Sequence, residues 1–186
     1  MSKNVLIPIA DGVEDLETVT IIDVLRRAKA NVIVASIHSK LDVTAARQTR
    51  IVADSLLSDY IDSQFDLIAL PGGLPGAENL RDCEPLIQLL KTQKETGNLY
   101  GAICASPAYV LQTHGLLQDV AATCYPAFHD QLSNHEQINK HVVVSKNCIT
   151  SQGPGTALEF ALTLVELLYD EALRREIAGQ MLVGQE

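Results

Sequence analysis

Short, unbroken apolar runs alternate with stretches of helical periodicity almost from one end of the chain to the other. Val5 to Ala10 is continuously apolar, as expected of a central parallel strand covered on both faces. Leu16 to Lys29 then reads as a helix, with Ile21, Leu25 and Ala28 on one stripe and Asp23, Arg26 and Arg27 elsewhere. Asn31 to Ser36 is a second strand, and a strand–helix–strand order implies a right-handed crossover into a parallel sheet. The span from Ile37 to Leu57 is less regular and predicts short edge strands or a hairpin. Phe65 to Leu70 is a buried strand that ends in Pro71-Gly72-Gly73. Cys83 to Thr96 reads as a helix capped by Asp82 and stopped by Gly97. Leu99 to Ile103 is the next strand, and Ser106 to His114 a helix with Pro107 in its first turn. Val120 to Thr123, His141 to Ser145 and Cys148 to Ser151 complete the strands, with a polar loop from Phe128 to Lys140. Gly153-Pro154-Gly155 turns the chain into a long apolar helix, Thr156 to Tyr169, and a last one runs from Glu171 to Leu182. This alternation predicts one α/β domain over residues 1–186, a doubly wound, mostly parallel sheet sandwiched between helices.

Composition narrows the function more than the fold. With 14 Lys and Arg against 23 Asp and Glu the formal charge is −9, which repels a phosphate backbone and argues against nucleic acid or an anionic membrane as partner. No apolar stretch has the length of a bilayer span, and the first one is broken at Asp11 with no small-residue cleavage site, so a cytoplasmic protein is expected. The four cysteines (Cys83, Cys104, Cys124, Cys148) are scattered, so each has to be judged singly rather than as a disulfide framework. No His/Cys/Asp pattern has zinc spacing, and neither a P-loop nor a Gly-x-Gly-x-x-Gly turn is present.

One cysteine stands where chemistry is expected. Ligands of open α/β sheets bind beyond the carboxyl ends of the strands. Asp11 to Glu17, Pro71-Gly72-Gly73 and Cys104-Ala105-Ser106 all follow strands and converge if those strands are neighbours. Cys104 lies between the strand Leu99–Ile103 and a helix start, where a tight turn projects a side chain into the cleft. Free N–H groups and the helix dipole at such a place favour an anion and lower a thiol pKa from about 8.5. The plain alternative is a small buried hydrophobe, which suits Cys83, Cys124 and Cys148. None of the five histidines (His38, His114, His129, His135, His141) adjoins Cys104, though His129 or His135 could fold over the cleft. Glu14 and Asp15 complement the dipole of the first helix. Glu17, flanked by Leu16 and Val19, is expected near the buried face. A carboxyl and a thiolate in one dry cleft cannot both stay ionised cheaply, so a protonated Glu17 donating to a Cys104 thiolate is the stable arrangement.

Four motifs carry a family resemblance: Ala10-Asp-Gly-Val-Glu-Asp-Leu-Glu17-Thr18-Val19, Leu70-Pro-Gly-Gly-Leu-Pro-Gly-Ala77-Glu-Asn-Leu80, Ala102-Ile-Cys104-Ala105 and Thr150-Ser-Gln-Gly-Pro-Gly-Thr156. In this order and spacing the chain resembles the ThiJ/PfpI superfamily, in the branch of the Parkinson-associated protein deglycase and bacterial YajL. The resemblance implies a flavodoxin-like fold, a homodimer and no cofactor or metal. It implies a reactive Cys104, Glu17 as its acid partner, and the N–H groups of Gly73 and Ala105 as an oxyanion-binding pair. It also places Arg27 and Arg47 as anion-binding residues near the dimer interface. The protease-like branch has a histidine directly after the nucleophile; Ala105 stands here, which argues against peptidase activity. The deglycase branch often has a histidine before the proline that is Pro126 here, whereas this chain has Cys124-Tyr125-Pro126, leaving Tyr125 to hydrogen-bond in its place. Two functions are implied. One is a cysteine-dependent, cofactor-free glyoxalase or deglycase acting on small reactive aldehydes or glycated protein or nucleotide. The other is a non-enzymatic oxidative-stress sensor or redox-regulated chaperone that uses oxidation of the same cysteine.

Overall fold

The apolar run after Asn4 forms β1 (Asn4–Ile9), buried from Val5 onward and set at the middle of the sheet. Residues 2–184 are described here from a computed structural model. The strands that follow are β2 (Asn31–Ser36), β3 (Asp42–Thr44), β4 (Arg50–Val52), β5 (Ser55–Leu56), β6 (Leu67–Leu70), β7 (Leu99–Ile103), β8 (Val142–Ser145) and β9 (Cys148–Ser151). Seven of them make one sheet in the order β5-β2-β1-β6-β7-β9-β8, and β3 and β4 form a separate hairpin. All pairings in the large sheet are parallel except β8 with β9. The helices are α1 (Asp15–Arg27), α2 (Gly76–Arg81), α3 (Glu84–Thr96), α4 (Ala157–Leu168) and α5 (Glu171–Gln180). This is the flavodoxin-like arrangement, a mostly parallel sheet flanked by helices.

The strand order fixes where a site can form. From β1 the chain winds outward to β2 and β5, then returns to β6 and winds the other way through β7. Between β1 and β6 the winding reverses, and an open α/β sheet has its crevice at the carboxyl ends of such a pair. The β1–β6 ladder runs only through Val5–Leu67 and Leu6–Ile68 and has ended before Pro8, which has no N–H to give. Helix α1 packs on α4, and the two bury Ile21, Val24, Leu25, Phe160, Ala161 and Leu164.

Several expectations change. Val120 to Thr123 is not a strand, although Val120, Ala122, Thr123 and Cys124 are buried as its pattern demanded. Its backbone is met by side chains: Ala121 N–H donates to Ser145 Oγ at 3.1 Å and Thr123 N–H to Thr150 Oγ1 at 2.9 Å. Asp82 does not cap α3; its carboxylate is held by Arg81 at 2.7 and 2.8 Å, and Cys83 takes the cap position without a side-chain bond. Gly97 ends α3 in the left-handed conformation, φ +79°, as expected of a C-cap glycine. The segment after Cys104 winds as a π-helical stretch, Pro107–Gln112, and the loop after Gly73 contains α2, which the sequence did not announce.

Candidate active site

Three loops at the carboxyl ends of β1, β6 and β7 are tied to one another by backbone and side-chain bonds. Gly72 is the knot: its carbonyl accepts from Glu14 N–H at 2.9 Å, and its own N–H donates to Glu17 Oε2 at 2.8 Å. The buried Ser106 hydroxyl donates to the Pro71 carbonyl at 2.5 Å, joining the turn after β7 to the turn after β6. A side chain at Gly72 has no room, since a Cβ there would stand 2.5 Å from Cys104 Cβ and 2.9 Å from Glu17 Oε2. Gly73 adopts φ +87°, a left-handed conformation that favours glycine.

Cys104 sits in the turn between β7 and the π-helical segment with φ +64°, uncommon for a residue with a Cβ. Its N–H donates to the Ser151 carbonyl at 3.0 Å and its carbonyl accepts from Tyr125 N–H at 2.8 Å. The strained turn is therefore held from both sides, and the side chain is left facing the crevice. Glu17 is fully buried on α1. Leu16 and Val19, which suggested that burial, are themselves 52% and 51% exposed; Thr18 and Ile21 share the inner side with Glu17 instead.

The electrostatics bind the two groups together. Burial, with a smaller push from Glu14, raises the Glu17 carboxyl to about 7, against the lowering effect of its Gly72 N–H bond and its bond to Cys104. Burial first, and then the Glu17 charge, push the Cys104 thiol up to about 12, while N–H groups of Gly73 and Ala105 directed at the sulfur lower it. The turn does not by itself depress this thiol below its ordinary value, as the sequence had suggested. What lies there is a coupled pair in which a charge on one group raises the cost of a charge on the other, so the two cannot cheaply be ionised together. Burial also raises Cys124 and Cys148 to about 12, and Cys83 upward. Cys104 differs in having a carboxyl and two aimed N–H groups as partners.

A cavity of about 400 Å³ opens over Cys104 and Ala105, with Gly73, Arg47, Tyr125 and Phe128 among its walls. Arg47 is thus at the site, its N–H bonded to Asp15 Oδ2 at 2.8 Å. Arg27 is not; it lies in the last turn of α1, roughly 15 Å along the helix from Glu17, and pairs with Asp23 at 2.7 Å. Asp15 does more than complement a dipole, because it also accepts from Thr49 N–H at 3.1 Å and so fastens the β3–β4 hairpin beside the crevice. Among the described residues no histidine lines the cavity: His129 and His135 bond the carbonyls of Cys124 at 3.2 Å and Leu132 at 2.7 Å. Gly72 and Ser106 were missed, although both stand within turns already singled out. Among the described residues no three His, Cys, Asp or Glu side chains converge as metal ligands.

A flavodoxin-like sheet carrying a cysteine on a strained strand-to-helix turn, against a buried carboxyl and two N–H donors, defines a class of cysteine-centred α/β proteins. The chain matches the DJ-1/PfpI family over residues 3–167 and belongs to it. It is similar to Protein DJ-1 homolog B of Arabidopsis thaliana, 49% identical over 182 residues, or 98% of this chain and 42% of that protein. The chain thus spans less than half the length of that relative. It is 40% identical over 169 residues to Glutathione-independent glyoxalase DJR-1.2 of Caenorhabditis elegans, covering 90% of this chain and 88% of that one. The solved structure of Toxoplasma gondii DJ-1, oxidized, superposes with a TM-score of 0.96 at 47% identity, covering 99% and 100% of the two chains.

Proposed function

We propose that this protein is a cysteine-dependent, cofactor-free enzyme of reactive carbonyls, of the glyoxalase or deglycase type, working in stress defence in the cytoplasm. The observation that carries this reading is the Glu17 carboxyl, fully buried, bonded to Gly72 N–H at 2.8 Å and set beside Cys104, each group raising the cost of ionising the other. The glyoxalase name of the Caenorhabditis elegans relative supports the substrate class.

With methylglyoxal, the Cys104 sulfur attacks the aldehyde carbon, and the carbonyl oxygen, held by the N–H groups of Gly73 and Ala105, takes the proton of Glu17. The Glu17 carboxylate, now a base, removes the hydrogen from that carbon and returns it to the neighbouring carbonyl carbon, while the hydroxyl proton passes to the adjacent oxygen. One carbon is oxidised and its neighbour reduced, giving a lactate thioester. Water cleaves the thioester, releasing lactate and restoring the thiol. In a glycated amine or nucleotide the first carbon is a hemiaminal: its C–N bond breaks, the nitrogen takes a proton from Glu17 and the hydroxyl gives one up, and the aldehyde so regenerated enters the same sequence. Arg47, in the cavity wall, is the residue that pairs with the carboxylate of the product in this reading.

The chain acts in this reading as one domain and as a homodimer. The half-exposed Leu16 and Val19 in the first turns of α1 offer a second copy an apolar face, with Arg27 at the far end of the same helix. The oxidised state of the Toxoplasma gondii relative favours a second role for the same residues. A Cys104 thiolate that attacks two equivalents of peroxide in turn becomes a sulfinate and releases two waters; held by Glu17 and the same N–H groups, it would make the protein a sensor or a redox-regulated chaperone. Purified protein given methylglyoxal is expected to form lactate, and Cys104→Ser to form none. Wild type as inactive as Cys104→Ser leaves the sensor role; a fully active Cys104→Ser removes the cysteine mechanism.

A further inference from the structure

Part of the cavity wall is aromatic. Tyr125, Phe128 and Tyr109 form a connected group: the Tyr109 and Phe128 rings meet edge-on with centroids 5.1 Å apart, and the Tyr125 and Phe128 rings are tilted at 5.9 Å. Tyr125 is the outer member, 43% exposed. Its position is fixed on the other side by Gly153, where an added Cβ would come 3.3 Å from Tyr125 Cδ2 and 3.8 Å from Cε2. Its backbone N–H is tied to the Cys104 carbonyl at 2.8 Å, so the ring is anchored to the same turn as the sulfur. Leu74 and Pro154 extend the apolar lining. A three-carbon aldehyde attacked at Cys104 would leave most of about 400 Å³ unfilled and this wall without a partner.

We propose that Tyr125 is the specificity-determining residue of the site, and that the site takes 2-oxoaldehydes bearing a planar aromatic group in preference to methylglyoxal. The aromatic group lies against the Tyr125 and Phe128 rings while the aldehyde carbon reaches Cys104. The chemistry is the internal oxidation and reduction already described. An aryl 2-oxoaldehyde and water give an aryl 2-hydroxy acid, with no other oxidant or reductant. This inference rests on the carbonyl-processing reading only for turnover; the binding preference stands apart from it.

Two measurements separate these claims. The first is kcat/KM for phenylglyoxal and methylglyoxal in wild type, Tyr125→Phe and Tyr125→Ala. Offset or edge-on ring contacts correspond to roughly a three- to tenfold preference. That preference for phenylglyoxal is expected in wild type and Tyr125→Phe, and is expected to vanish in Tyr125→Ala because KM rises more for phenylglyoxal than for methylglyoxal. The second is protection of Cys104 from iodoacetamide by the unreactive acids mandelate and lactate, which needs no turnover. Mandelate is expected to protect at several-fold lower concentration than lactate in wild type, and at equal concentration in Tyr125→Ala. Equal protection in wild type, or a mandelate preference that survives Tyr125→Ala, overturns the inference. Mandelate-selective protection without turnover of either aldehyde upholds it and removes the carbonyl-processing reading instead.

Discussion

At Glu17, burial decides the chemistry. Moving a carboxyl from 4.5 to about 7 corresponds to on the order of 3 kcal/mol of disfavoured ionisation. Because the folded protein holds this proton more tightly than the unfolded chain, the associated stability is complete below pH 4.5 and is lost as pH rises through about 7. Glu17→Gln keeps an oxygen for the Gly72 N–H and an amide to donate toward Cys104, but carries no charge. Its melting temperature is expected to exceed that of wild type by several degrees at pH 8, with the gap closing or reversing at pH 5. A gap independent of pH would mean that Glu17 is not the titrating group. Gly72 sets a steric limit beside it. In Gly72→Ala the new methyl has to displace Cys104 Cβ, 2.5 Å away, or the Ile103 carbonyl, 2.8 Å away. The expected loss is roughly 1–3 kcal/mol in chemical denaturation, accompanied by slower alkylation of Cys104.

At the scale of elements, the strands and long helices could be read from the chain because their burial repeats along it. β1, β2, β6, β7 and β9 are apolar runs buried from both faces, and α4 is an apolar helix between a Gly-Pro-Gly turn and Tyr169. The failures came where hydrogen bonding and not burial decides. The segment 120–123 has the burial of a strand, but Ser145 and Thr150 satisfy its N–H groups in place of a neighbouring backbone. Helix α2 was hidden inside a Pro- and Gly-rich motif, and the winding after Cys104 could not be told from an α-helix by periodicity. Within the site, Cys104 could be read from its place after a strand. Glu17 could be read from its motif, but not its burial from Leu16 and Val19, which are half-exposed. Gly72 as the bridge between Glu14, Glu17 and Cys104 depends on contacts between loops distant in the chain, which no local pattern records. Ser106→Ala tests one such contact. Leaving the buried Pro71 carbonyl without its donor is expected to cost about 1–3 kcal/mol and to lower Cys104 reactivity, read together from denaturation and alkylation rates.

At the scale of the whole molecule, the strand order is what brings Glu17 to Cys104. Glu17 follows β1, Gly72 and Gly73 follow β6 and Cys104 follows β7, and these three strands are neighbours in the sheet. Residues 17, 72 and 104 therefore meet at the point where the winding reverses, where burial disfavours a charge on Glu17 and on Cys104 alike. With the proton on Glu17, donation to the sulfur opposes the burial and the Glu17 charge that together hold the thiol near 12. The most direct test is the pH dependence of Cys104 alkylation in wild type and in Glu17→Ala, with Cys83, Cys124 and Cys148 replaced in both. In wild type, thiolate reactivity is expected to appear with the first proton lost from the pair, near neutral pH, and to persist as a plateau while Glu17 keeps the remaining proton. In Glu17→Ala the donor is gone, and reactivity is expected to rise only at the pH of an ordinary or buried thiol. Superimposable profiles in the two proteins would contradict the account, because Cys104 would then owe nothing to Glu17.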